Sequence, residues 1–317
     1  MPLLTVENLS IGYRTRKRYI KSVEGVSFSL NKGKSLGFVG ESGCGKTTIG
    51  MAVMRLLPAN ATITQGQVMF DGHDLLKIPE KEMRQIRWKK IAMIFQAAMN
   101  ALNPVHRVGE QIMEAVVTHD PDISMASATR QVEKLFDLVG ITPGRMRDFP
   151  HNYSGGMKQR VIIAMALACN PDLIIADEPT TALDVIVQSQ ILDAIKKLQK
   201  ELEISLIFIS HDIAVVADVC DNINIMYAGQ VIEAGTREEV FSAPAHPYTK
   251  SLLASYLTLD GKKASPMPNS GDTANRILSH RGCRFRDRCP ASNPECSSIA
   301  PQWIEISPTH KVLCDRC

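Results

Sequence analysis

Residues 35–53 read SLGFVGESGCGKTTIGMAV: a continuous apolar run, a glycine loop, then a helical pattern. An apolar run without polar alternation suits a strand buried on both faces, so it belongs inside a parallel sheet. In GESGCGKTT, residues 40–48, the glycines let consecutive backbone N–H groups converge on one point. The helix that follows turns its positive end to the same point. This is the pattern of a phosphate-binding loop. Lys46 has the reach for β and γ phosphates, Thr47 can ligate Mg²⁺, and Ser42, Gly43, Cys44, Gly45 and Thr48 complete the cradle. Cys44 reads as a small residue within it. A mere tight turn is the alternative, and the strand and helix on the correct sides argue against it.

The same alternation recurs downstream. LIIAD and SLIFIS are short apolar strands. Between them lies LDVIVQSQILDAIKKLQKEL, in which Leu183, Val187, Ile191, Ile195, Leu198 and Leu202 recur at helical spacing. Strands alternating with helices predict an α/β core with a mostly parallel sheet. Earlier, LLTVENLSIGY and VEGVSFSL are β-rich. From about residue 97 to 170 helical patterns replace strands, from VGEQIMEAVVTH through ATRQVEKLFDLVG to GGMKQRVIIAMALAC, which predicts a helical insertion. After Tyr256, TLDGKKASPMPNSGDTANR reads as a linker. No internal repeat is present, so the expectation is one nucleotide core and not two in tandem.

Composition narrows the partners. With 317 residues, 44% hydrophobic and 22% charged, the chain is ordinary for a globular protein, and a net charge of +3 is too small to argue for nucleic acid. The basic runs YRTRKRYIK and MRQIRWKK read as solvated faces. The longest clean apolar run, VIIAMALAC, is far short of the roughly 20 residues that cross a bilayer. Glu7 and the lack of a cationic start predict no signal peptide, hence a reducing compartment in which grouped cysteines more often hold metal than form disulfides.

Three further motifs carry chemistry. LIIADEPT ends an apolar strand with Asp177, suited to hold Mg²⁺ through water, and Glu178, one residue nearer an attacking water. FISHD repeats the design with His211, which can touch a γ-phosphate or orient the water; a structural histidine is the alternative. In NYSGGMKQR, Ser154 is a helix N-cap, and Ser154, Gly155 and Gly156 expose backbone donors as a second anion site. One nucleotide cannot fill two phosphate sites of one monomer. A head-to-tail pair resolves this, with ATP clamped between the loop of one subunit and this helix of the other.

In that order and spacing the motifs resemble the ATPase subunits of ABC transporters over about residues 3–255. The resemblance implies a P-loop ATPase core, an N-terminal antiparallel β subdomain and a helical signature subdomain, together spanning 1–255, followed at 256–317 by the linker and a small irregular cysteine-rich module. It also implies that Tyr13 stacks on adenine, Gln96 links Mg²⁺ to a membrane partner, and Asp184 communicates across the dimer. MNALNPVHRVGEQI and HPYTKSLL are similar to the oligopeptide and dipeptide permease branch. That branch implies ATP-driven import, a second homologous ATPase subunit as partner, with a homodimer possible in isolation, two transmembrane permease subunits, an extracytoplasmic substrate-binding protein acting indirectly, no nucleic acid, and a peripheral place on the cytoplasmic face of the cell membrane. Ala97 and Ala98 depart from the Asp-Pro pair expected after Gln96. The rival readings are a soluble ABC ATPase acting on nucleic acid or ribosomes, which predicts tandem cassettes or a dominant basic face, and an ATP-binding scaffold, which predicts loss of Glu178 or His211.

GCRFRDRCPASNPEC, residues 282–296, completes the picture. Cys283, Cys289, Cys296 and Cys314 resemble the four-cysteine tail of that branch, which implies a 4Fe-4S cluster with one thiolate per iron. Zinc competes, but its usual spacing of about two to four residues occurs only at Cys314 and Cys317, and uncommitted thiols are the third possibility. Arg281, Arg284, Arg286 and Arg288 are expected to offset the cluster's negative charge. Cys169 and Cys220 read as core residues. Because the ATP motifs precede Tyr256, the tail is expected to be structural or partner-directed and apart from hydrolysis.

Overall fold

A computed structural model describes residues 1–16, 18–96, 101–181, 183–257 and 282–315. Ala97, Ala98, Arg281, Cys317 and the whole linker therefore lie outside the described residues. The chain forms two compact units, one of Met1–Asn31, Ser35–Leu76 and Phe208–Cys317, the other of Lys32–Lys34 and Lys77–Ile207.

The first unit opens with β1 (Leu4–Arg14) and β2 (Tyr19–Leu30), antiparallel with Leu4 opposite Leu30 and Val6 opposite Phe28. On β2 the side chains alternate from Val26, with Val26, Phe28 and Leu30 inward, the period of a half-buried strand; Val23, also buried, precedes a break in that register. β3 (Ser35–Val39) leads to α1 (Lys46–Val53). β4 (Ala61–Phe70) and β5 (His73–Asp74) complete an antiparallel sheet in the order β2-β1-β4-β5.

The second unit follows. α2 (Glu80–Ile86) precedes β6 (Ile91–Ile94). Next come α3 (Val108–His119), α4 (Met125–Leu138) and α5 (Gly155–Leu167), with no strand among the described residues of this stretch. β7 (Leu173–Asp177) pairs in parallel with β6, Ile91 opposite Leu173. α6 (Val185–Leu202) buries Ile191, Leu192, Ile195 and Leu198. The ends of its expected apolar stripe stay open: Val187 is half-buried, and Leu202 is exposed because the helix stops at Glu203 in the left-handed region.

β8 (Ser205–Ser210) returns the chain to the first unit, where α7 (Ile213–Val219), β9 (Asn222–Tyr227), β10 (Gln230–Thr236), α8 (Arg237–Ser242) and α9 (Pro247–Leu257) follow. β3 pairs in parallel with β9 and is buried along its whole length, as its unbroken apolar character requires. None of the described helices is long and apolar enough to cross a membrane.

The tail is more regular than its composition suggests. β11 (Trp303–Glu305) and β12 (Lys311–Leu313) form a hairpin, and β12 pairs antiparallel with β10, Glu233 opposite Val312. The order in this unit is β11-β12-β10-β9-β3, so the hairpin covers what would be an exposed edge of β10. Buried polar groups fix the join. The fully buried Glu233 carboxylate accepts from the N–H groups of Ala245 and His246 and lies 2.8 Å from His310 Nε2. Glu239 forms a capping box with Thr236 on α8 and also accepts from Ser307 Oγ at 2.6 Å and Thr309 Oγ1 at 2.8 Å.

The Ser307 hydroxyl, seconded by the Thr236 N–H and the hydroxyls of Thr309 and Thr236, pulls the Glu239 carboxyl down to about 2. A depressed carboxylate stabilises the fold above its ordinary value of 4.5 and loses that contribution as pH falls toward about 2. Glu239→Gln is expected to lower the unfolding temperature at pH 7 by about 2–4 °C. The gap from wild type should narrow between pH 4.5 and 3, a trend that melts at several pH values would check.

Candidate functional site

In the first unit, β3 ends at Val39 and the phosphate loop runs to Gly45, the residue before α1. Gly45 has φ +105°, and a Cβ there would lie 2.5 Å from the Ser22 carbonyl oxygen, so both conformation and space demand glycine. The N-cap of α1 is Gly45, which has no side chain to bond the first turn, the arrangement found at anion-binding helix starts. Lys46 is buried and folds back across the loop, its Nζ donating to the carbonyls of Gly40 at 2.6 Å and Glu41 at 3.0 Å. Cys44 is fully buried, and burial pushes its thiol up despite nearby Lys46; its carbonyl accepts from Gly229 N–H at 3.0 Å. Its thiol is therefore closed off from solvent. Thr48 Oγ1 lies 3.3 Å from Tyr13 Oη and 3.4 Å from Ser22 Oγ, bringing Tyr13 to the start of α1. His211 is exposed between β8 and α7, whose first turn is capped by Asp212 Oδ1 accepting from Ala214 and Val215.

The second unit holds the acids. β7 is buried throughout and delivers Asp177 at 1% exposure. Glu178 follows with φ +47°, a left-handed conformation uncommon outside glycine and a kind of strain that clusters at functional sites. Its Oε2 accepts from Gln96 Nε2 at 3.1 Å and Thr181 Oγ1 at 3.0 Å. Gln96 and Glu178, singled out separately in the sequence, are thus bonded to each other.

Two helix N-termini meet elsewhere in this unit. Ser154 caps α5 by accepting from Met157 N–H at 3.3 Å, and Asp184 caps α6 by accepting from Val187 N–H at 2.9 Å. A Cβ on Gly156 would lie 2.6 Å from Val187 Cγ1, so the glycine permits the close approach of the two helices. Ser154, Gly155, Asp184, Val185 and Ile186 are all exposed there, the last two at 81% and 72%.

In the first unit, Cys283, Cys289, Cys296 and Cys314 line one cavity of about 240 Å³. Burial pushes the Cys283 thiol up; the Phe285 N–H opposes this, and Cys314, Cys296 and Cys289 raise it further as like charges. Cys289 is raised by burial in the same way. Among the described residues, no three His, Cys, Asp or Glu side chains are grouped so that they could hold a metal ion. Of the three described arginines, Arg286 lines the cavity, whereas Arg284 and Arg288 turn to the core. Arg284 pairs with Glu24 and donates to the Ala228 carbonyl; Arg288 Nη1 donates to Glu41 at 2.6 Å. Of the arginines expected to offset a cluster's charge, two are therefore held by carboxylate and carbonyl acceptors away from the thiols.

The tail, expected to be structural or partner-directed, also touches the phosphate loop. Glu41 belongs to that loop, and its N–H donates to Tyr248 Oη at 3.1 Å while its carboxylate takes Arg288. Sequence reasoning missed Glu41, Tyr248 and Arg288 as a group; HPY was visible as a motif but without a target. Cys220 is a buried core residue, its thiol pushed well up by burial, whereas Cys169, expected in the core, is only half-buried and is raised to about 11 by the same cause.

Gly45→Ala is expected to weaken binding of MgATP about tenfold, the equivalent of the ~1–2 kcal/mol cost of a left-handed non-glycine residue. Calorimetric titration of the two proteins would check it.

Comparison with known proteins adds independent findings. The family model described as ABC transporter matches residues 23–181, and that described as oligopeptide/dipeptide transporter, C-terminal region, matches residues 232–296. The chain is 49% identical over 314 residues to the oligopeptide transport ATP-binding protein OppD of Bacillus subtilis (strain 168), covering 98% of this chain and 87% of that one. It is 45% identical over 315 residues to the dipeptide transport ATP-binding protein DppD of the same organism, covering 98% and 94%. Among solved structures it is similar to the dimeric post-hydrolysis state of the ATP-binding cassette MJ0796 bound to ADP and Pi. There the TM-score is 0.66 at 26% identity, over 74% of this chain and 98% of that one. It is also similar to cbiO1 from Clostridium perfringens, part of the ABC transporter complex cbiONQ, with TM-score 0.67 at 26% identity over 81% and 95%.

Proposed function

Since the chain belongs to the ABC transporter family of ATP-binding proteins, in its oligopeptide/dipeptide class, we propose that it hydrolyses ATP to energise peptide import. The observation that carries this is the uncapped N-terminus of α1 behind a glycine loop with Lys46 folded onto its carbonyls. The cargo class rests on relatives named for oligopeptide and dipeptide transport across nearly the whole chain.

In this reading residues 1–255 are the ATPase domain and 256–317 the linker and cysteine module. Ser42 to Thr48 hold the phosphates and Tyr13 faces the adenine. Thr47, Gln96 and Asp177 would hold Mg²⁺, which when bound neutralises phosphate charge. Asp177 suits that role as a carboxylate at the end of a buried strand. Glu178 orients the attacking water and takes its proton, and His211 supports the γ-phosphate. With Gln96 and Thr181 on its Oε2, Glu178 has one oxygen held and its direction fixed.

Ser154, Gly155 and Gly156 complete the nucleotide site of a partner ATPase, and Asp184 communicates across that pair. The exposure of Ser154, Gly155 and Asp184 together with Val185 and Ile186 supports a docking role for this surface. The physiological pair joins two homologous ATPases on the cytoplasmic face of the membrane, beneath two permease subunits that receive cargo from a binding protein. Closure of the pair on ATP moves the permeases.

Glu178→Gln is expected to keep MgATP binding but lose about 10²–10⁴ in turnover. It should also associate in an ATP-dependent manner that Ser154→Arg abolishes. ATPase assays and sedimentation test both statements, and near-wild-type hydrolysis by Glu178→Gln would refute the assignment.

The reading extends to the tail, where Cys283, Cys289, Cys296 and Cys314 would ligate a 4Fe-4S cluster. Support comes from the shared cavity and from thiols raised by burial and mutual repulsion, a penalty that metal binding offsets. Zinc is the competing metal, and its usual spacing of about two to four residues occurs only at Cys314 and Cys317. In a 4Fe-4S cluster each of the four thiolates would hold one iron. Anaerobically purified protein is expected to contain about four irons per chain. X-ray absorption at the zinc edge alone would overturn the cluster.

A further inference from the structure

The C-terminal region holds Glu41, the second residue of the phosphate loop, by both backbone and side chain. Tyr248 Oη accepts from its N–H at 3.1 Å, and Arg288 Nη1 donates to its carboxylate at 2.6 Å. Both partners are themselves fixed. Tyr248 is fully buried, donates its own N–H to His246 Nδ1 at 3.0 Å, and packs on Tyr227 and Phe285 with ring centroids 4.9 and 5.5 Å apart. The Arg288 side chain is 7% exposed, with its guanidinium 5.9 Å from the Tyr227 ring and 6.0 Å from that of Phe285. Arg284 approaches the other end of the loop: it donates to the Ala228 carbonyl, and the adjacent Gly229 N–H donates to Cys44.

These contacts bear on the atoms that would meet phosphate. A phosphate loop binds because its N–H groups point to one place before the ligand arrives. Lys46 Nζ hydrogen-bonds the Glu41 carbonyl, so a shift of Glu41 moves the lysine as well. Holding that residue by two independent, buried partners fixes loop and lysine together. Arg288 takes its place from the segment that runs from Cys283 to Cys289, itself pinned by Cys283 N–H on the Cys296 carbonyl at 2.8 Å and by Phe285 at 1% exposure.

We propose that Arg288 is a positioning residue for nucleotide binding, acting through Glu41, so that the cysteine-bearing tail sets the affinity of the phosphate loop. The proposal rests on the reading of residues 40–48 as an ATP site. Coupling is reciprocal: a tail that tightens nucleotide binding is itself held by bound nucleotide.

The test is titration of the full-length chain with MgATP, alongside limited proteolysis of the tail with and without MgATP. Arg288→Ala is expected to raise the Kd about tenfold, Arg288→Lys to recover part of the loss by restoring the charge, and Glu41→Gln to match Arg288→Ala. The double variant Arg288→Ala/Glu41→Gln should be no weaker than either single change, the mark of one shared interaction. MgATP should protect the wild-type tail from protease and the Glu41→Gln tail less. A wild-type Kd in Arg288→Ala, or effects that add in the double variant, would overturn the proposal and leave a purely structural contact. If Arg288→Ala does not fold, Glu41→Gln decides alone: an unchanged Kd and undiminished protection refute the idea. Failure of the wild-type chain to bind MgATP, or binding indifferent to Lys46→Ala, would instead overturn the ATP-site reading, and the proposal with it.

Discussion

The convergence of backbone N–H groups at the start of α1 is the constraint on which the site depends. It requires a strand buried on both faces to bring the chain to one point, a glycine at φ +105° to turn it, and a helix left uncapped so that its dipole faces outward. No side chain supplies the anion site; side chains only steer it. Lys46, Tyr13 and Thr48 are arranged about those groups, and burial closes the Cys44 thiol off from solvent.

The second unit solves a different problem, how to present carboxylates at the end of an apolar strand. Asp177 is withdrawn from solvent by β7, while Glu178 leaves the strand in a left-handed conformation with one oxygen held by Gln96 and Thr181. The two adjacent acids therefore differ in burial and in partners, which suits them to different tasks. Nearby in sequence, two capped helices, α5 and α6, approach closely because position 156 is glycine.

The tail joins the fold by ordinary means. A two-stranded ribbon is marginal alone, but β12 gains a partner in β10 and the turn before it gains Glu239 and Glu233. Phe285 fills an aromatic cluster with Tyr227 and Tyr248, and the arginines on either side of it find acceptors in the core. The HPY segment is explained by the same contacts: His246 accepts the Tyr248 N–H, Pro247 opens α9, and the Tyr248 hydroxyl reaches Glu41.

The phosphate loop, the buried strands β3, β7 and β8 and the Ser154 cap of α5 are legible in the order of residues alone, since each depends on residues within a few positions of one another. The sequence by itself determined an α/β core, its anion cradle, and the acids and histidine at strand ends. Only tertiary structure decided that Gln96 bonds Glu178, that position 156 must be glycine because Val187 lies against it, and that β10 accepts a strand from the tail. It alone decided that Arg288 meets Glu41 and leaves the thiols to line their cavity without it. A pattern of residue types records what a segment can form locally. Which acceptor a distant arginine finds is set by how the intervening elements pack, and burial makes that choice specific.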